Sequence, residues 1–252
     1  MSSIAIASVV FGCSFGAGVI GTYARLPERH LDTESRDVVK LVMGLIGTIS
    51  ALVLSLLIAS ANSSYDQQKS ELNTLSVNIV LLDRTLELYG PEAKAARDAF
   101  RDAVRNTHDR IWSPDGIRPE VLASTETENA AKHDLARLQS LAPKTDVERV
   151  LQSRATQISD SITQSRLMMT AQLSSSIAWP FLTVLVFWIC ALFFGFGLFA
   201  RFNATVTMAL LVGALSVAGA IFLILELNDP YRGLMRISDE PLRSAISQID
   251  HQ

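Results

Sequence analysis

Residues 41–61 read LVMGLIGTISALVLSLLIASA, an uninterrupted run without a charged side chain. An α-helix rises about 1.5 Å per residue, so this run is long enough to cross a hydrocarbon layer of roughly 30 Å. Lys40 precedes the run, and Asp66 is the next charged residue after it. The stretch therefore predicts a transmembrane helix.

Three further stretches of similar length also lack charged side chains, namely 4–23, 177–200 and 205–225. A cleaved signal peptide is the alternative for the first, but no basic residue precedes it and its apolar run is longer than a signal core. Hydrophobic residues make up 49% of the chain and the mean hydropathy is +0.28, which is high for a soluble domain. We therefore predict an all-α membrane protein with four transmembrane helices.

The residues between the second and third spans, 62–176, have helical rather than alternating spacing of apolar side chains. This insert is expected to be a helical extramembrane stalk that extends spans two and three. Its first helix should end at the sequence YGP, residues 89–91, because glycine favours a helix stop and proline the start of the next helix. Five leucine and isoleucine residues of that helix should share one buried face: Leu72, Leu75, Ile79, Leu82 and Leu86.

Two later helices of the insert are also predicted. One covers 119–141, and a long one begins at a capping box formed by Thr145 and Glu148. The long helix should run directly into span three, where Pro180 predicts a kink. Its apolar stripe is expected to comprise Val147, Leu151, Ile158, Ile162, Met169 and Leu173.

Four segments follow from these boundaries. Residues 1–61 carry spans one and two with their connecting loop, 62–176 form the helical extramembrane domain, and 177–227 carry spans three and four. Residues 228–252 are predicted to form a turn and a short amphipathic helix. Because the apolar side chains of that helix share one face, it should either lie on the membrane surface or dock against the insert.

Small residues recur at intervals of four in span two, a pattern typical of closely packed transmembrane helices. They are Gly47, Ala51, Ser55 and Ala59, and span one offers Gly12 and Gly16. A second hypothesis is that span two borders a water-filled pore in an oligomer, since hydroxyl groups line a conduction path without the desolvation cost of a buried charge. The candidate pore-lining residues are Thr48, Ser50, Ser55 and Ala59.

Charged residues follow the end of span four at Glu226, Asp229 and Arg232. One interpretation is an interfacial turn with local ion pairs, which contribute little when exposed. The alternative is a charged ring at the mouth of a pore. The spans themselves contain no charged residue at their centres, which argues against a proton-coupled pump but leaves a passive pore open.

No pattern of residues indicates catalysis. Histidines are scattered, no His/Glu pair has metal-ligand spacing, and no glycine-rich phosphate loop follows a strand. Asp83, Arg84 and Glu87 are expected to form local ion pairs on one helix. We therefore predict no enzyme activity, no catalytic residues, no cofactor and no metal site, and the absence of a basic run excludes nucleic acid as an expected partner.

The chain resembles the bestrophin-like domain family of bacterial membrane proteins. Several short motifs carry the resemblance: RHL at 29–31, GL at 44–45, LLIASA at 56–61, LDR at 82–84, YGPE at 89–92, FGLFA at 196–200 with Asn203, ILEL at 224–227, and Asp229-Pro230 with Gly233. They are distributed over most of the chain.

Bestrophins are pentameric anion channels with four spans per subunit and large cytoplasmic helical regions. The resemblance therefore implies a homo-oligomer with a central conduit, in contact with membrane lipid and ions, and a cytoplasmic insert in a bacterial inner membrane. The aromatic and acidic motifs of bestrophins are not found here, so no pore or calcium-binding residue is transferred. The leading hypothesis is an oligomeric passive ion channel, with anion selectivity implied by the resemblance. The rival hypothesis is a membrane-anchored scaffold or sensor that does not conduct.

Overall fold

A computed structural model describes residues 2–24, 33–113, 116–118, 120–121, 124–174, 179–200, 203–229, 231 and 234–250. These residues form eight α-helices: α1 (Ser3–Tyr23), α2 (Thr33–Tyr89), α3 (Lys94–Ile111), α4 (Thr125–Ser140), α5 (Asp146–Ser174), α6 (Trp179–Phe199), α7 (Ala204–Asn228) and α8 (Glu240–Asp250). Two short strands, β1 (Trp112–Ser113) and β2 (Gly116–Ile117), pair antiparallel. The strands are only two residues each, so the predicted all-α class is confirmed.

Four helices of the described chain are long and apolar enough to cross a membrane: α1, α2, α6 and α7. They coincide with the four predicted spans. Helix α2 is much longer than a span, because it begins before the apolar run and continues without a break to Tyr89. The membrane-spanning part is therefore one section of a longer continuous helix.

Contacts divide the chain into two units. The span unit comprises Met1–Ser64 and Ser176–Asp229, and the insert unit comprises Tyr65–Ser175 and Pro230–Gln252. Helix α2 contributes to both. The C-terminal helix α8 belongs to the insert unit, where it packs against α3. Of the two locations considered for this helix, the structure therefore shows docking against the insert.

The core of the insert unit contains the predicted stripe of α2. Leu72, Leu75, Ile79, Leu82 and Leu86 are all buried and belong to one cluster of apolar side chains. The helix ends at Tyr89, and Gly90 then has a φ of 111°, which disfavours residues with a β-carbon. A short 3-10 turn, Pro91–Ala93, leads into α3. The stripe and its stop signal are thus confirmed.

The expectation of local ion pairs around Asp83 is wrong. Asp83 is fully buried, and both Arg97 and Arg101 of α3 donate two hydrogen bonds each to its carboxylate, at 2.6–3.0 Å. Arg97 also pairs with Glu87 at 3.1 Å. Burial by itself raises the pKa of Asp83, but the hydrogen bonds from Arg101 and Arg97 outweigh it and lower that pKa. The pairs therefore join α2 to α3 rather than neighbours on one helix.

Three details of α4 and α5 differ from the prediction. Helix α4 begins at Thr125 rather than at 119, because the side chain of Ser124 accepts a hydrogen bond from the Thr127 amide at 3.3 Å and caps the helix there. In the predicted capping box, the Thr145 hydroxyl oxygen accepts a hydrogen bond from the Glu148 amide at 3.2 Å. The Glu148 carboxylate, however, accepts from the backbone amide of Lys144 at 2.6 Å rather than from that of Thr145. Val147 lies in the first turn of α5 and is exposed, so it does not belong to the buried stripe.

The predicted kink at Pro180 concerns the junction of α5 with span three. Pro180 is the second residue of α6, and the residues that precede this helix, 175–178, lie outside the described part of the chain. The predicted continuity of α5 with span three and the kink at Pro180 therefore stay predictions.

Candidate conduction surface on the second span

Three of the four candidate pore-lining residues lie on one exposed face of α2. Thr48, Ser55 and Ala59 are separated by seven and four residues, which places them almost directly above one another on a helix. Thr48 donates a hydrogen bond to the Gly44 carbonyl at 3.0 Å, and Ser55 donates to the Ala51 carbonyl at 2.8 Å. Both hydroxyl oxygens thus keep free lone pairs on an exposed helix face.

Ser50 does not share this face. It lies two residues after Thr48, about 200° around the helix, and it is buried with only 6% of its surface exposed. Its hydroxyl has no hydrogen-bond partner among the described residues. We therefore exclude Ser50 from the candidate conduction surface, because a side chain packed inside its own subunit is not available to line a pore.

Span two is the least covered of the four spans. In the most apolar 18-residue section of α2, only 6% of the residues are buried, compared with 22% for the same section of α1 and 33% for those of α6 and α7. Leucines and small residues alternate on this uncovered surface, among them Leu45, Leu52 and Leu56. An open, mostly apolar groove of about 480 Å³ also lies between α2 and α6, beside Lys40, Gly44 and Phe196. Much of α2 is therefore available for lipid or for another subunit.

The predicted charges at the pore mouth do not form one exposed group. Glu226 is only 4% exposed near the end of α7, so it is buried within its own chain and does not present a charge to a mouth. Asp229 follows the helix and is exposed. Arg232 lies outside the described residues. Of the two described residues of this set, Asp229 has the exposure that a charge at a pore mouth requires, and Glu226 does not.

The described residues contain no group of three or more His, Cys, Asp or Glu side chains that could hold a metal ion. Cys13 and Cys190 are both free thiols in spans.

A family model described as "Bestrophin-like domain" matches residues 10–242. The chain is also similar to crystal structures of two variants of a bacterial bestrophin homologue from Klebsiella pneumoniae. The first is 14% identical, with a TM-score of 0.66, and the match covers 99% of this chain and 97% of that one. The second is 12% identical, with a TM-score of 0.68 and coverage of 97% and 96%. At these identities the likeness shows the fold alone. No curated protein matches the chain.

Proposed function

Because this chain belongs to the bestrophin-like domain family, we propose that it assembles into a homo-oligomeric, passive ion channel of the bacterial inner membrane. The conduction path would be lined by the α2 face that carries Thr48, Ser55 and Ala59. The single observation that carries the proposal is the poor coverage of span two, of which only 6% is buried within its own chain. A helix around a central axis needs an uncovered face of this kind.

The chemistry of that face supports conduction. A path through the bilayer must replace part of the hydration of an ion, and hydroxyl oxygens do this without a fixed charge that would trap it. Thr48 and Ser55 supply such oxygens about two helical turns apart, and Ala59 continues the face with a side chain small enough to leave space. The same spacing also suits close helix packing, so flux measurements must separate the two interpretations.

Two features point to different selectivity. The resemblance to bestrophins favours anions. The same resemblance also favours five subunits and a cytoplasmic insert. The hydroxyl geometry favours cations, because Thr48 and Ser55 use their protons on backbone carbonyls and present oxygen lone pairs to the face. The reversal potential under a potassium chloride gradient distinguishes these alternatives.

Flux through the purified oligomer tests the proposal. The full-length protein, with its oligomeric state verified, is reconstituted into liposomes and planar bilayers under chloride, sodium and potassium gradients. Current is expected, and Ala59→Trp should reduce it because the indole would fill the path. Val212→Trp places the same indole at an exposed position of α7 and should leave current intact. Absence of current from the verified oligomer under all three gradients would reject the channel hypothesis and favour the scaffold hypothesis.

An oligomeric structure gives an independent test. The channel requires a symmetry axis lined by the α2 face with a continuous water path. A closed axis, or one filled by lipid or by packed side chains, contradicts the proposal.

A further inference from the structure

A cavity of about 110 Å³ lies within the insert unit, where α2, α3, α4, α5 and α8 converge. Its walls are almost entirely apolar and include Leu75, Ile79, Phe100 and Met169. Protein cores are packed to the density of organic crystals, so a gap of this size among five helices is unusual. The cavity is open on one side. It is therefore accessible to a small molecule from outside the unit.

Arg166 of α5 is the cationic group in the cavity wall. One of its guanidinium nitrogens, Nη1, donates to the Thr127 carbonyl at 2.9 Å. No carboxylate among the described residues forms an ion pair with it. Burial lowers the pKa of Arg166, partly offset by the charge of Glu128, but arginine remains protonated at neutral pH. Most of its five N–H donors are thus available to an acceptor that the chain does not supply.

Trp112 lines the same cavity and offers a second free donor. Its indole Nε1 is buried and has no hydrogen-bond partner among the described residues. A buried donor without an acceptor costs free energy, so such a group needs an explanation. The indole is stacked on His108 at a ring distance of 5.4 Å. Both ring nitrogens of His108 are already within reach of carboxylates, at 3.0 Å from Asp109 and 3.4 Å from Asp239.

Asp134 is the carboxylate in the cavity wall, and it does not satisfy either free donor. Its side chain pairs instead with Arg137 of the same helix at 3.4 Å. Burial raises the pKa of Asp134, and the charge of Arg137 partly offsets this effect. Arg166 and Trp112 are thus two residues of this wall whose N–H donors are not all used within the described part of the chain.

From these observations we propose that the cavity binds a small monocarboxylate with an apolar chain. The chain occupies the apolar cavity, and the carboxylate accepts hydrogen bonds from the Arg166 guanidinium and the Trp112 indole. A dry cavity of about 150 Å³ accepts a benzene ring, so this smaller one suits a chain of about four or five carbons. Di- and tricarboxylates are excluded, because a second charge would be placed against apolar walls.

Binding of pentanoate to the full-length protein in lipid nanodiscs tests the proposal. Calorimetric titration is carried out with pentanoate and with 1-pentanol, which has the same chain but no carboxylate, and protein-free nanodiscs give the correction for partitioning into lipid. Saturable pentanoate binding is expected. Arg166→Gln should weaken it about tenfold or more, as expected when a charge-assisted hydrogen bond is lost. Trp112→Phe should also weaken it.

Two control variants complete the design. Arg154→Gln removes an equal charge from an exposed position of the same helix and should leave pentanoate binding unchanged. Ala130→Leu adds a larger side chain to the cavity wall and should abolish binding of both compounds. Preserved pentanol binding by Arg166→Gln shows that this variant is folded. Absence of saturable pentanoate binding by the wild type, or binding that Arg166→Gln and Ala130→Leu both leave unchanged, would overturn the proposal.

Discussion

The backbone of Gly197 in α6 lies so close to that of Gly18 in α1 that a β-carbon added at Gly197 would overlap the Gly18 carbonyl oxygen. A β-carbon added at Gly21 would likewise overlap the Phe194 carbonyl oxygen. Lipid provides no hydrophobic drive for helices to associate, so close backbone approach and dispersion contacts must hold these two spans together. The crossing of α1 and α6 therefore depends on the absence of side chains at these glycines.

Gly197→Ala should destabilise the span unit. The atom that the new methyl group meets belongs to the backbone and cannot rotate away, so the two helices must separate. Overpacking of this kind costs about 1–3 kcal/mol. A lower thermal unfolding midpoint of the purified protein in detergent is the expected result.

Gly219→Ala in α7 is the matched control. A β-carbon there meets nothing within 4 Å, and alanine has the higher helix propensity. The midpoint should stay unchanged or rise. If Gly197→Ala is as stable as Gly219→Ala, the proposed role of the close crossing is wrong.

The close crossing of α1 and α6 shows which part of the fold can be predicted from the sequence. The span itself follows from a run of uncharged residues, because the requirement for length and apolarity is local. The contact glycines do not follow, because their identity depends on how each helix is rotated against its neighbour. Gly12 and Gly16 have the expected spacing, yet a β-carbon at either would meet nothing within 4 Å. Gly18 and Gly21 are the ones in contact.

The same limit applies to the candidate conduction surface and to Asp83. Thr48, Ser50 and Ser55 are equivalent in sequence as hydroxyl groups in an uncharged span, and only the rotation of α2 separates the buried Ser50 from the other two. The burial of Asp83 could have been noticed from its place beside the stripe residue Leu82. Its partners, Arg97 and Arg101, follow only once α3 is known to pack on that side of α2.

Asp83→Asn should destabilise the insert unit strongly. The variant leaves Arg97 and Arg101, whose side chains are each 14% exposed, without their shared buried anion. Breaking one side of a buried pair typically costs about 3–5 kcal/mol. Chemical denaturation, followed by helical circular dichroism, gives the free energy of unfolding. Asp102→Asn, which removes an exposed partner of Arg105, should cost less than about 1 kcal/mol. Equal effects of the two changes would contradict the role assigned to Asp83.

Asp83 should also make the free energy of unfolding depend on pH in the acid range. Because the pKa of Asp83 is lower in the folded chain than its ordinary 3.8, the unfolded chain binds the proton first as the pH falls. The stabilisation is therefore present above about pH 4 and decreases as the pH falls towards the folded value. Asp83→Asn should make the acid side of the stability curve flatter. A curve as steep as that of the wild type would contradict this assignment.

Tyr231 should make the folded protein sensitive to alkali. The side chain is 2% exposed, and burial raises its pKa from 10.0 to about 12. Below pH 10 the phenol is neutral in both states and contributes no pH dependence. Between pH 10 and 12 the unfolded chain loses this proton while the folded chain keeps it, so stability decreases as the pH rises.

Tyr231→Phe should remove that part of the alkaline loss. The difference between the variant and the wild type should grow by on the order of 2 kcal/mol across the window, measured by denaturant unfolding. In an absorbance titration of the folded protein, the variant should show one late-ionising phenol fewer. An unchanged alkaline loss of stability in Tyr231→Phe would show that the phenol does not carry it.

Thiol accessibility along α2 tests the orientation of the candidate conduction surface. The two native cysteines are first replaced by alanine, and cysteine is then introduced at Thr48, Ser55 or, as the matched control, Ser50. Charged thiol reagents react with thiolates in water, and neither the reagent nor the thiolate is stable in lipid or in a packed interior. In the functional oligomer, Thr48→Cys and Ser55→Cys should react about tenfold or more faster than Ser50→Cys and should lose current on modification.

Ser50→Cys must react after denaturation, which shows that its thiol is intact, and its current should survive the reagent. Equal protection of all three positions in an oligomer that still conducts would place the path away from α2. Preferential reaction at Ser50 would mean that α2 is rotated in the assembly, because its exposed and buried faces in the single chain lie on opposite sides of the helix.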